Sequence, residues 1–447
     1  MHTIPLFSHT RPDQIIAWQQ DTAISAHQFL ADVAQLATRL PAAKYILNMC
    51  SDRYHFTVGL AAAILCNKIS LLPPSHTADM ITQLQHYAPD VFCLSDHEQP
   101  GIALPVTRYP ATPASIVEQF TIPQISCKQC IAVVFTSGST GKPLSHLKSW
   151  EQLIHSARTE AQQLGLMDGR SYTLIGTVPP QHMYGLESTV LMALHSGNAL
   201  TSQQPFYPAD ICQAMAAAPA PRVLISSPVH LRALLDSGLQ PAPLAFILSA
   251  TAPLSNELAH ALVKRFHTQI HEVYGSTETG VIAARLPTTD SAWQLFPGIQ
   301  LTVQSQQTLV SSALINPPIA LHDVIESISD TRFLLHGRTA DLINIAGKRN
   351  SLASLNHKLT SIPGVIDGTF FMPDETHADC ITRLTAFVVA PTLDTPRLLT
   401  LLRTRIDAVF LPRPLLFVDK LPRNATGKLP RASLQHLLQS HRAKSTT

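Results

Sequence analysis

Short apolar runs alternate along this chain with longer stretches whose apolar residues recur at helical spacing. From Ser25 to Leu40 the apolar residues stand three or four positions apart, which predicts a helix with Ser25 as its N-cap. Strand-length apolar runs lie at 45–49 and 69–72, with a mostly apolar helical stretch at 56–66 between them. Because strands that alternate with helices form parallel sheets, residues 1 to about 130 are predicted to form an α/β layer.

The alternation continues beyond this point and predicts a second set of strands. A helix is expected at 150–164, and further strand-length apolar runs lie at 131–135, 173–178, 223–228, 245–250 and 271–274. We therefore predict an α/β fold in which mainly parallel sheets are flanked by helices. In such sheets, ligands bind beyond the carboxyl ends of the strands.

A smaller α+β region is predicted from about residue 340 onwards. Strands are expected at 386–389 and 415–418, with a helix at 397–410 between them. A chain of 447 residues also exceeds one typical core, so at least two domains are expected. The predicted division is a large domain at 1–338 and a small domain at 339–447.

Composition narrows the classes of function. Hydrophobic residues make up 45% of the chain, which supports large cores, whereas charged residues make up 14% and the formal net charge is +2. No run of Lys or Arg stands out, so a nucleic-acid partner is not expected. The N-terminus lacks the features of a secretory signal, and the most apolar stretch, 58–66, is far too short for a membrane span. We therefore expect a soluble, cytoplasmic protein.

The apolar run at 131–135 ends in a loop, 136–142, that is rich in hydroxyls and glycine. Four of its seven residues carry hydroxyls and two are glycines, a composition suited to binding phosphate oxygens at close range. A Walker loop is excluded, because Gly138 and Gly141 are only three residues apart and Pro143 occupies the place of the hydroxyl that binds magnesium. Two interpretations remain, a phosphate cradle and an ordinary Ser/Gly surface turn.

Three further stretches follow this loop: YGSTETG at 274–280, Gly337-Arg338 with Asp341 and Gly347, and LPRNATGK at 421–428. Taken in this order, the loop and the three stretches resemble the motifs of the adenylate-forming superfamily. That superfamily includes acyl- and aryl-CoA synthetases, the adenylation domains of peptide synthetases, and luciferases. The resemblance implies a large nucleotide-binding domain and a small C-terminal lid that rotates between two reaction steps.

The resemblance also implies a reaction. A substrate carboxylate attacks the α-phosphorus of ATP, giving an acyl-adenylate and pyrophosphate, and the acyl group then passes to a thiol. The acceptor is coenzyme A or the phosphopantetheine of an acyl carrier protein, and the residues leave that choice open. Catalysis of such a transfer is mainly positioning and charge neutralisation. The resemblance assigns the phosphates of ATP to Thr136, Ser137, Gly138, Ser139, Thr140, Gly141 and Lys142.

The YGSTETG stretch carries further implied roles. Tyr274 and Gly275 are expected at the nucleotide, with the Tyr274 ring against the adenine. Thr277 is expected at the α-phosphate and Glu278 on Mg²⁺, a cation that prefers carboxylate and phosphate oxygens. Ala252, in the Ala-Pro-Leu segment 252–254, matches the family's adenine-side loop, although the usual glycines are absent.

Four more residues complete the implied site. His182, in a P-x-x-H-x-x-G segment, is expected at the mouth of the carboxylate pocket, and a packed or surface histidine is the alternative. Asp323 precedes Arg338 by fifteen residues, the spacing of the family's ribose-binding aspartate, and a loop aspartate is the alternative. Lys428 is expected to neutralise charge on the reacting carboxylate and α-phosphate, and a solvated lysine is the alternative.

Three departures from the family pattern affect the prediction. Leu144 replaces the lysine that follows the loop proline, Ser145 replaces the glycine after it, and Ala340 replaces the hinge acid, with Asp341 next to it. Lys148 is a candidate source of the missing positive charge. These changes motivate a second hypothesis, a catalytically weak adenylate-binding or scaffold protein of a synthase complex.

Substrate class can be narrowed further. Relatives that activate amino acids place an acid close to the P-x-x-H-x-x-G segment, but none stands between Pro179 and Leu186, so an α-amino acid is not expected. The segments 50–56, 71–74 and 148–150 resemble compact ligases of aryl-polyene-type pathways, which implies a hydroxybenzoate-like or acyl substrate. Only nineteen residues follow Lys428 and they contain no phosphopantetheine attachment motif, so any carrier protein is expected to be separate.

Overall fold

The computed structural model describes residues 2–99, 101–116, 119–136, 144–304, 307–338, 342–345, 348–373, 384–424, 427 and 429–444. These residues divide into two compact units. The first unit comprises Met1–Ile299 with Ser312–Asn316, and the second comprises Gln300–Ser311 with Pro317–Thr447. The sequence-based division into domains at 1–338 and 339–447 is a separate statement, about segments that act as domains, and it stays a prediction.

The first unit is built from alternating strands and helices. Its strands are Thr3–Pro5 (β1), Ile15–Gln19 (β2), Thr22–Ser25 (β3), Tyr45–Asn48 (β4), Ile69–Leu72 (β5), Phe92–Ser95 (β6), Val106–Arg108 (β7), Gln124–Ser126 (β8), Cys130–Thr136 (β9), Leu144–Ser149 (β10), Thr173–Gly176 (β11), Ala199–Thr201 (β12), Arg222–Ser226 (β13), Phe246–Ser249 (β14), Gln269–Ser276 (β15), Gly280–Arg285 (β16) and Trp293–Leu295 (β17). Its helices are Ala26–Ala37 (α1), Arg53–Leu65 (α2), Ala78–Tyr87 (α3), Trp150–Gln163 (α4), Met183–Gly185 (α5), Met192–Ser196 (α6), Pro208–Ala217 (α7), Pro228–Asp236 (α8) and Asn256–Phe266 (α9), with a π-helical segment, Leu186–Leu191, between α5 and α6.

One sheet of the first unit has the order β10-β9-β5-β4-β6-β7. Strands β9, β5, β4, β6 and β7 are parallel, whereas β10 pairs antiparallel with β9. The parallel strands β5 and β6 are buried at every position and are mostly apolar, with one buried serine in each. Strand β9 therefore delivers the start of the hydroxyl-rich loop to the end of a rigid, buried strand.

A second sheet runs through the first unit in the order β17-β16-β15-β14-β13-β11-β12-β2-β3. Strands β15, β14, β13, β11, β12 and β2 are parallel, and β16, β17 and β3 are antiparallel additions at the ends. The predicted α/β class with mainly parallel sheets is confirmed. The opening 130 residues do not form one layer, however, because β2 and β3 join this second sheet.

Helix ends in the first unit follow from local capping. Ser25 accepts a hydrogen bond from the Gln28 N–H and caps α1, as the sequence predicts. Ser149 and Gln152 form a reciprocal capping box at the start of α4, where β10 ends. This cap fixes the point at which the chain leaves β10 and enters α4, and so limits how β10 can shift.

The second unit is the small α+β region. Its strands are Gln300–Gln304 (β18), Gln307–Ser311 (β19), Ile319–Ala320 (β20), Asp323–Ser329 (β21), Arg332–Arg338 (β22), Leu342–Ile345 (β23), Lys348–Ser351 (β24), Asp367–Phe371 (β25), Thr385–Val389 (β26) and Leu415–Phe417 (β27), and its helices are Leu352–Thr360 (α10), Thr395–Arg403 (α11) and Arg431–Lys444 (α12). Strands β25, β26 and β27 form a sheet whose buried side chains include Phe370 and Phe387. The helix expected at 397–410 ends earlier, at Arg403, and a short 3₁₀ turn follows at Ala408–Phe410.

The helices give no sign of a membrane span. Within the part of the chain that the structure describes, none of them combines the length and the apolar character that crossing a bilayer requires.

Candidate active site

Three of the predicted site segments follow neighbouring parallel strands of the second sheet. The His182 segment follows β11, the Ala252 segment follows β14, and Thr277 with Glu278 follows β15. In the sheet these strands have the order β11-β13-β14-β15. Because parallel strands share one edge at their carboxyl ends, all three segments lie at that edge.

Hydrogen bonds tie these segments to one another through the strand ends. The Tyr184 hydroxyl, two residues after His182, donates to the Leu248 carbonyl of β14 at 3.2 Å. Thr177 Oγ1, just after β11, lies 2.8 Å from Ser226 Oγ at the end of β13. The loops at this edge are thus held by buried polar contacts in addition to backbone pairing.

Glu278 lies in a tight turn between β15 and β16. The Ser276 N–H donates to Thr279 Oγ1 at 3.1 Å, and the Thr279 N–H donates to Ser276 Oγ at 3.2 Å. A Cβ atom at Gly275 would collide with the backbone carbonyl of Gly280, so glycine alone fits this close approach. The turn therefore holds the backbone of Thr277 and Glu278 in a defined position.

His146 connects this turn to the start of the hydroxyl-rich loop. Its Nε2 lies 3.0 Å from Thr136 Oγ1, the last residue of β9, and 3.4 Å from Glu278 Oε1. His146 and Lys148 are two residues apart on β10, so both side chains leave the same face of the strand. Thr136 and Glu278 therefore both approach the same imidazole nitrogen.

Lys148 makes the second link between β10 and the turn. Its Nζ donates to the backbone carbonyl of Glu278 at 2.8 Å, and its side chain is buried. Lys148 therefore supports the turn from behind. The sequence suggests that Lys148 replaces the positive charge missing at Leu144. The Lys148 ammonium donates to a backbone carbonyl instead, so this hydrogen bond does not support that suggestion.

The electrostatics of the turn favour an ionised carboxylate at Glu278. Burial acts to raise the pKa of Glu278, but hydrogen bonding within the turn and the neighbouring His146 and Lys148 outweigh it, and the pKa is lowered. About one third of the side chain is exposed. A partly exposed anion in a rigid turn is suited to binding a hard cation.

His182 is the N-cap of the short helix α5. Its Nδ1 accepts a hydrogen bond from the Tyr184 N–H at 3.3 Å. In the neutral imidazole, an accepting Nδ1 leaves the proton on Nε2, so this nitrogen is the donor that His182 can offer. That tautomer suits hydrogen bonding to a carboxylate oxygen, which agrees with the role the resemblance implies.

The predicted adenine side of the site rests on a buried ion pair. Glu272 Oε2 and Arg285 Nη2 are 2.6 Å apart, and Glu272 Oε1 accepts from the Leu254 N–H at 2.8 Å. The Arg285 guanidinium lies over the Trp293 ring at 4.6 Å from its centroid, and the Trp293 and Tyr274 ring centroids are 5.6 Å apart. This chain of contacts holds the Ala252 segment and the Tyr274 ring in place.

Thr251 adopts a backbone conformation that threonine rarely has. Its φ is +78°, in the left-handed region where β-branched residues are strained and glycine is not. The glycines that are usual in this segment of the superfamily are absent from 250–254. The backbone nevertheless keeps the conformation that a glycine would favour next to Ala252.

Two of the predicted site residues lie in the second unit and are paired there. Asp323 begins β21 and is directly opposite Arg338, the last residue of the antiparallel partner β22. The fifteen-residue separation in the sequence is thus the length of one hairpin. Of Arg338 only the backbone is described, so its side chain stays a sequence-based prediction.

The approach to Lys428 is anchored inside the second unit. Arg423 binds Asp367 through two hydrogen bonds of 2.8 and 2.7 Å, and its Nη1 donates to the Gly427 carbonyl at 2.7 Å. A bidentate arginine–carboxylate pair fixes geometry more firmly than a single bond does. The residue immediately before Lys428 is therefore tied to the sheet strand β25.

Several predicted site residues lie outside the described residues. They are Ser137, Gly138, Ser139, Thr140, Gly141, Lys142 and Lys428. Their roles stay predictions. The described ends of the first loop, Thr136 and Leu144, are paired across β9 and β10.

Two residues in this region were not assigned roles at the turn from the sequence. His146 was not singled out, and Lys148 was considered only as a possible replacement for a missing charge. The signal that could have found them is their two-residue spacing next to a strand-forming segment, which places both on one face. Leu147 obscured it, since a leucine on the opposite face suggests that face as the buried one, whereas Leu147 is 66% exposed.

The fold and the arrangement at the sheet edge define the class of the adenylate-forming α/β enzymes. Residues 6–310 match the family of AMP-binding enzymes, and the chain belongs to that family. The chain is 28% identical to 4-coumarate–CoA ligase of Rhodobacter capsulatus over 70% of its own length and 78% of that protein. It is 22% identical to 3-hydroxybenzoate–CoA/4-hydroxybenzoate–CoA ligase of Thauera aromatica, over 69% of its own length and 66% of that protein.

Solved structures show the same fold. O-succinylbenzoate coenzyme A synthetase from Bacillus subtilis, in complex with AMP, superposes with a TM-score of 0.80 at 18% identity, covering 95% of this chain and 96% of that one. The correspondence spans both units, so the α/β region and the smaller α+β region both belong to the family's architecture.

Mg²⁺ and ATP fit the residues at the sheet edge. The described residues contain no group of three or more His, Cys, Asp and Glu that could hold a metal by themselves. Mg²⁺ commonly takes only one or two carboxylates and completes its shell with phosphate oxygens and water, which the single ionised Glu278 can serve. Bound in this way, Mg²⁺ would neutralise charge on the phosphates.

Proposed function

We propose that this protein is an ATP-dependent acid–thiol ligase. It activates an aromatic or acyl carboxylate as an acyl-adenylate with release of pyrophosphate, and it then transfers the acyl group to a thiol. The observation that supports the proposal is the contact of His146 with both Thr136 and Glu278 in the first unit of an AMP-binding enzyme, at the sheet edge that also carries the His182 segment. The CoA ligase activity named for the relatives supports the same reaction class.

Each residue acts mainly by position. Glu278 holds Mg²⁺, Thr277 binds the α-phosphate, and the Tyr274 ring lies against the adenine. His182 donates a hydrogen bond from its Nε2–H to the substrate carboxylate that attacks the α-phosphorus. Lys428 neutralises the charge that develops between the carboxylate and the α-phosphate.

The substrate is proposed to be an aromatic carboxylic acid of the hydroxybenzoate or hydroxycinnamate type. The relatives are named for 4-coumarate and hydroxybenzoates, which supports this class. Glu187, the acid nearest to the His182 segment, is buried, so it offers no exposed partner for a substrate ammonium group. The acceptor is the thiol of coenzyme A or of a separate acyl carrier protein.

The test is hydroxylamine trapping of the acyl-adenylate together with pyrophosphate release. The panel covers benzoic, hydroxybenzoic, cinnamic, short-chain and long-chain acids, and coenzyme A and a phosphopantetheinylated carrier protein are then compared as acceptors. We expect release that requires both the acid and Mg-ATP. Lys428→Ala should abolish it, whereas Lys264→Ala, at an exposed lysine of α9, should leave it unchanged.

A second candidate function is nucleotide binding without turnover, in a scaffold protein of a synthase complex. It is favoured by Leu144, which is exposed at the position where the family carries a lysine. Binding of Mg-ATP with no pyrophosphate release across the panel would establish this alternative and reject the ligase.

A further inference from the structure

Strand β10 has an unusual burial pattern, because its lysine is buried while its two leucines are exposed. Leu144 is 58% exposed and Leu147 is 66% exposed, whereas Lys148 is 6% exposed. Removing an ammonium group from water is costly unless it is paired and hydrogen-bonded, and leaving leucines in water forgoes hydrophobic stabilisation. The burial of Lys148 therefore calls for a specific interaction that requires a cation or a strong donor at this point.

The structure identifies that interaction. The Lys148 ammonium donates to the Glu278 carbonyl at 2.8 Å, across 130 positions of sequence. Glu187, which is 2% exposed on the π-helical segment Leu186–Leu191, is a second buried acid whose charge acts on Lys148. Burial lowers the pKa of Lys148, and the charges of Glu187 and Glu278 oppose that change.

Glu187 also supports the far end of the turn. A Cβ atom added to Gly280 would come within 2.9 Å of Glu187 Oε1 and of Ser156 Oγ, so both groups lie directly against this glycine. Gly280 has a φ of +72°, which a residue with a side chain rarely adopts. The turn is thus hydrogen-bonded at Glu278 by Lys148 and closely packed at Gly280 against Glu187 and Ser156.

We propose that Lys148 is a positioning residue for the magnesium site, which fixes the peptide carbonyl of Glu278 and thereby the direction of its carboxylate, with Glu187 as its buried counter-charge. The inference rests on the proposed function and deepens it by naming what aligns the metal-binding carboxylate. Mg²⁺ demands near-octahedral geometry with short ligand distances, so a small rotation of this peptide should weaken metal binding. Groups that orient a metal ligand typically alter metal affinity about 10- to 100-fold when they are removed.

The experiment measures ATP binding by calorimetry, once with Mg²⁺ and once with a chelator, so that it needs no turnover. The readout is the ratio of the two affinities, which isolates the contribution of the metal. Wild type, Lys148→Met, Glu278→Gln and the control Lys264→Met are compared. Methionine keeps the length and bulk of the side chain at Lys148 but cannot donate.

We expect the ratio of ATP affinities with and without Mg²⁺ to be about tenfold lower in Lys148→Met than in wild type. The affinity for metal-free ATP should stay within about twofold of wild type. Glu278→Gln should lose at least as much, and Lys264→Met should lose nothing. An unchanged ratio in Lys148→Met would overturn the proposal. So would a parallel loss of metal-free and metal-dependent binding, which marks a merely structural role.

A double variant separates loss of metal binding from loss of stability. Burial raises the pKa of Glu187 to about 7 even beside Lys148, so Lys148→Met leaves a buried acid without its neighbouring cation, and Lys148→Met/Glu187→Gln replaces that acid with a neutral amide. We expect the double variant to recover thermal stability towards wild type while the Mg²⁺-dependent gain stays low, because the Glu278 carbonyl still has no donor. Recovery of both together would overturn the proposal.

The result is independent of the proposed reaction. Wild type that binds Mg-ATP but releases no pyrophosphate would defeat the ligase and still allow this test to be completed. Wild type whose ATP affinity does not respond to Mg²⁺ would defeat the positioning role even if adenylate forms.

Discussion

At the scale of single residues, the interior of the first unit contains charged side chains that form hydrogen bonds with other buried polar groups. Arg53 is completely buried, and its guanidinium donates to the carbonyls of Gly176, Val178, Thr201 and Gln203. Burial lowers its pKa to about 10, so it stays a cation at neutral pH. By bonding carbonyls at the ends of β11 and β12, Arg53 fixes the start of the segment that leads to His182.

Glu160 gives the clearest prediction at this scale. The side chain is fully buried on α4, and the Ser188 hydroxyl donates to its carboxyl oxygens at 2.9 and 3.0 Å. Burial, with the nearby charge of Glu187, raises the pKa of Glu160 from 4.5 to about 8. The folded state therefore binds a proton that the unfolded chain has released between these two values. This contribution to stability is complete below pH 4.5 and is lost as pH rises towards 8.

We predict that Glu160→Gln flattens this dependence, because the amide imitates the protonated acid. The unfolding free energy of wild type should fall relative to the variant by about 1 kcal/mol per pH unit between pH 5 and 8. Urea unfolding at several pH values measures the difference. Glu98→Gln, at a side chain that is 92% exposed, is the control and should run parallel to wild type. Parallel curves for Glu160→Gln as well would show that this carboxyl is ionised in the folded protein.

At the scale of elements, the hairpin of β15 and β16 determines the position of the predicted catalytic turn. The pairing is irregular between Tyr274 and Gly275, where the register shifts by one residue. The shift brings Gly275 against the backbone of Gly280 and Val281. Backbone atoms cannot move aside as a flexible side chain can, so the hairpin geometry depends on the missing Cβ.

Gly275→Ala should therefore displace the turn that carries Thr277 and Glu278. We expect adenylate formation to fall about 100-fold, the usual scale for a displacement of about 1 Å at a reacting centre. The unfolding free energy should fall by about 1–3 kcal/mol. Pyrophosphate exchange and urea unfolding measure the two effects, with Ser291→Ala, at an exposed residue, as the control. Exchange within about threefold of wild type would mean that the turn tolerates the added methyl group.

The elements also show what the sequence can and cannot predict. The buried strand at 69–72 and the helix capped by Ser25 are found where the pattern predicts them, because local periodicity and capping decide them. Strand β10 was missed, because its exposed leucines and central His146 and Lys148 give no alternation of apolar and polar residues. Its existence depends on pairing with β9, which is a tertiary effect.

The candidate site follows the same division. Motifs with fixed spacing single out Glu278 and His182 as candidates, because short stretches of sequence carry them, and their roles stay predictions. The network of Lys148, Glu187 and Ser156 could not be predicted, since it joins residues from β10, the π-helical segment and α4. A charged residue in a sequence is normally predicted to lie at the surface. Only the fold reveals that Glu187 and Lys148 are both buried and that the charge of one acts on the other.

At the scale of the whole molecule, each unit has hydrophobic clusters of its own. Leu224 belongs to a cluster built between strands and helices of the first unit, and Leu398 belongs to one built around β25 and β26 of the second. Both side chains are 0% exposed. A region with its own core can unfold as a cooperative unit, so the two units are expected to give separate transitions.

The tryptophans make the two transitions distinguishable. The chain has three, Trp18, Trp150 and Trp293, and all of them lie in the first unit. Intrinsic tryptophan fluorescence therefore reports the first unit, whereas circular dichroism in the far ultraviolet reports helices and strands of both.

We predict that core truncations affect only the unit that contains them. Leu398→Ala should lower the unfolding free energy of the second unit by about 2–5 kcal/mol, the usual cost of a buried Leu→Ala change. Its circular dichroism curve should then show an earlier phase while the fluorescence midpoint stays at the wild-type urea concentration. Leu224→Ala should instead move the fluorescence midpoint. A fluorescence midpoint that shifts equally in Leu398→Ala would mean that the two units unfold as one, because a cavity in one core would then weaken both.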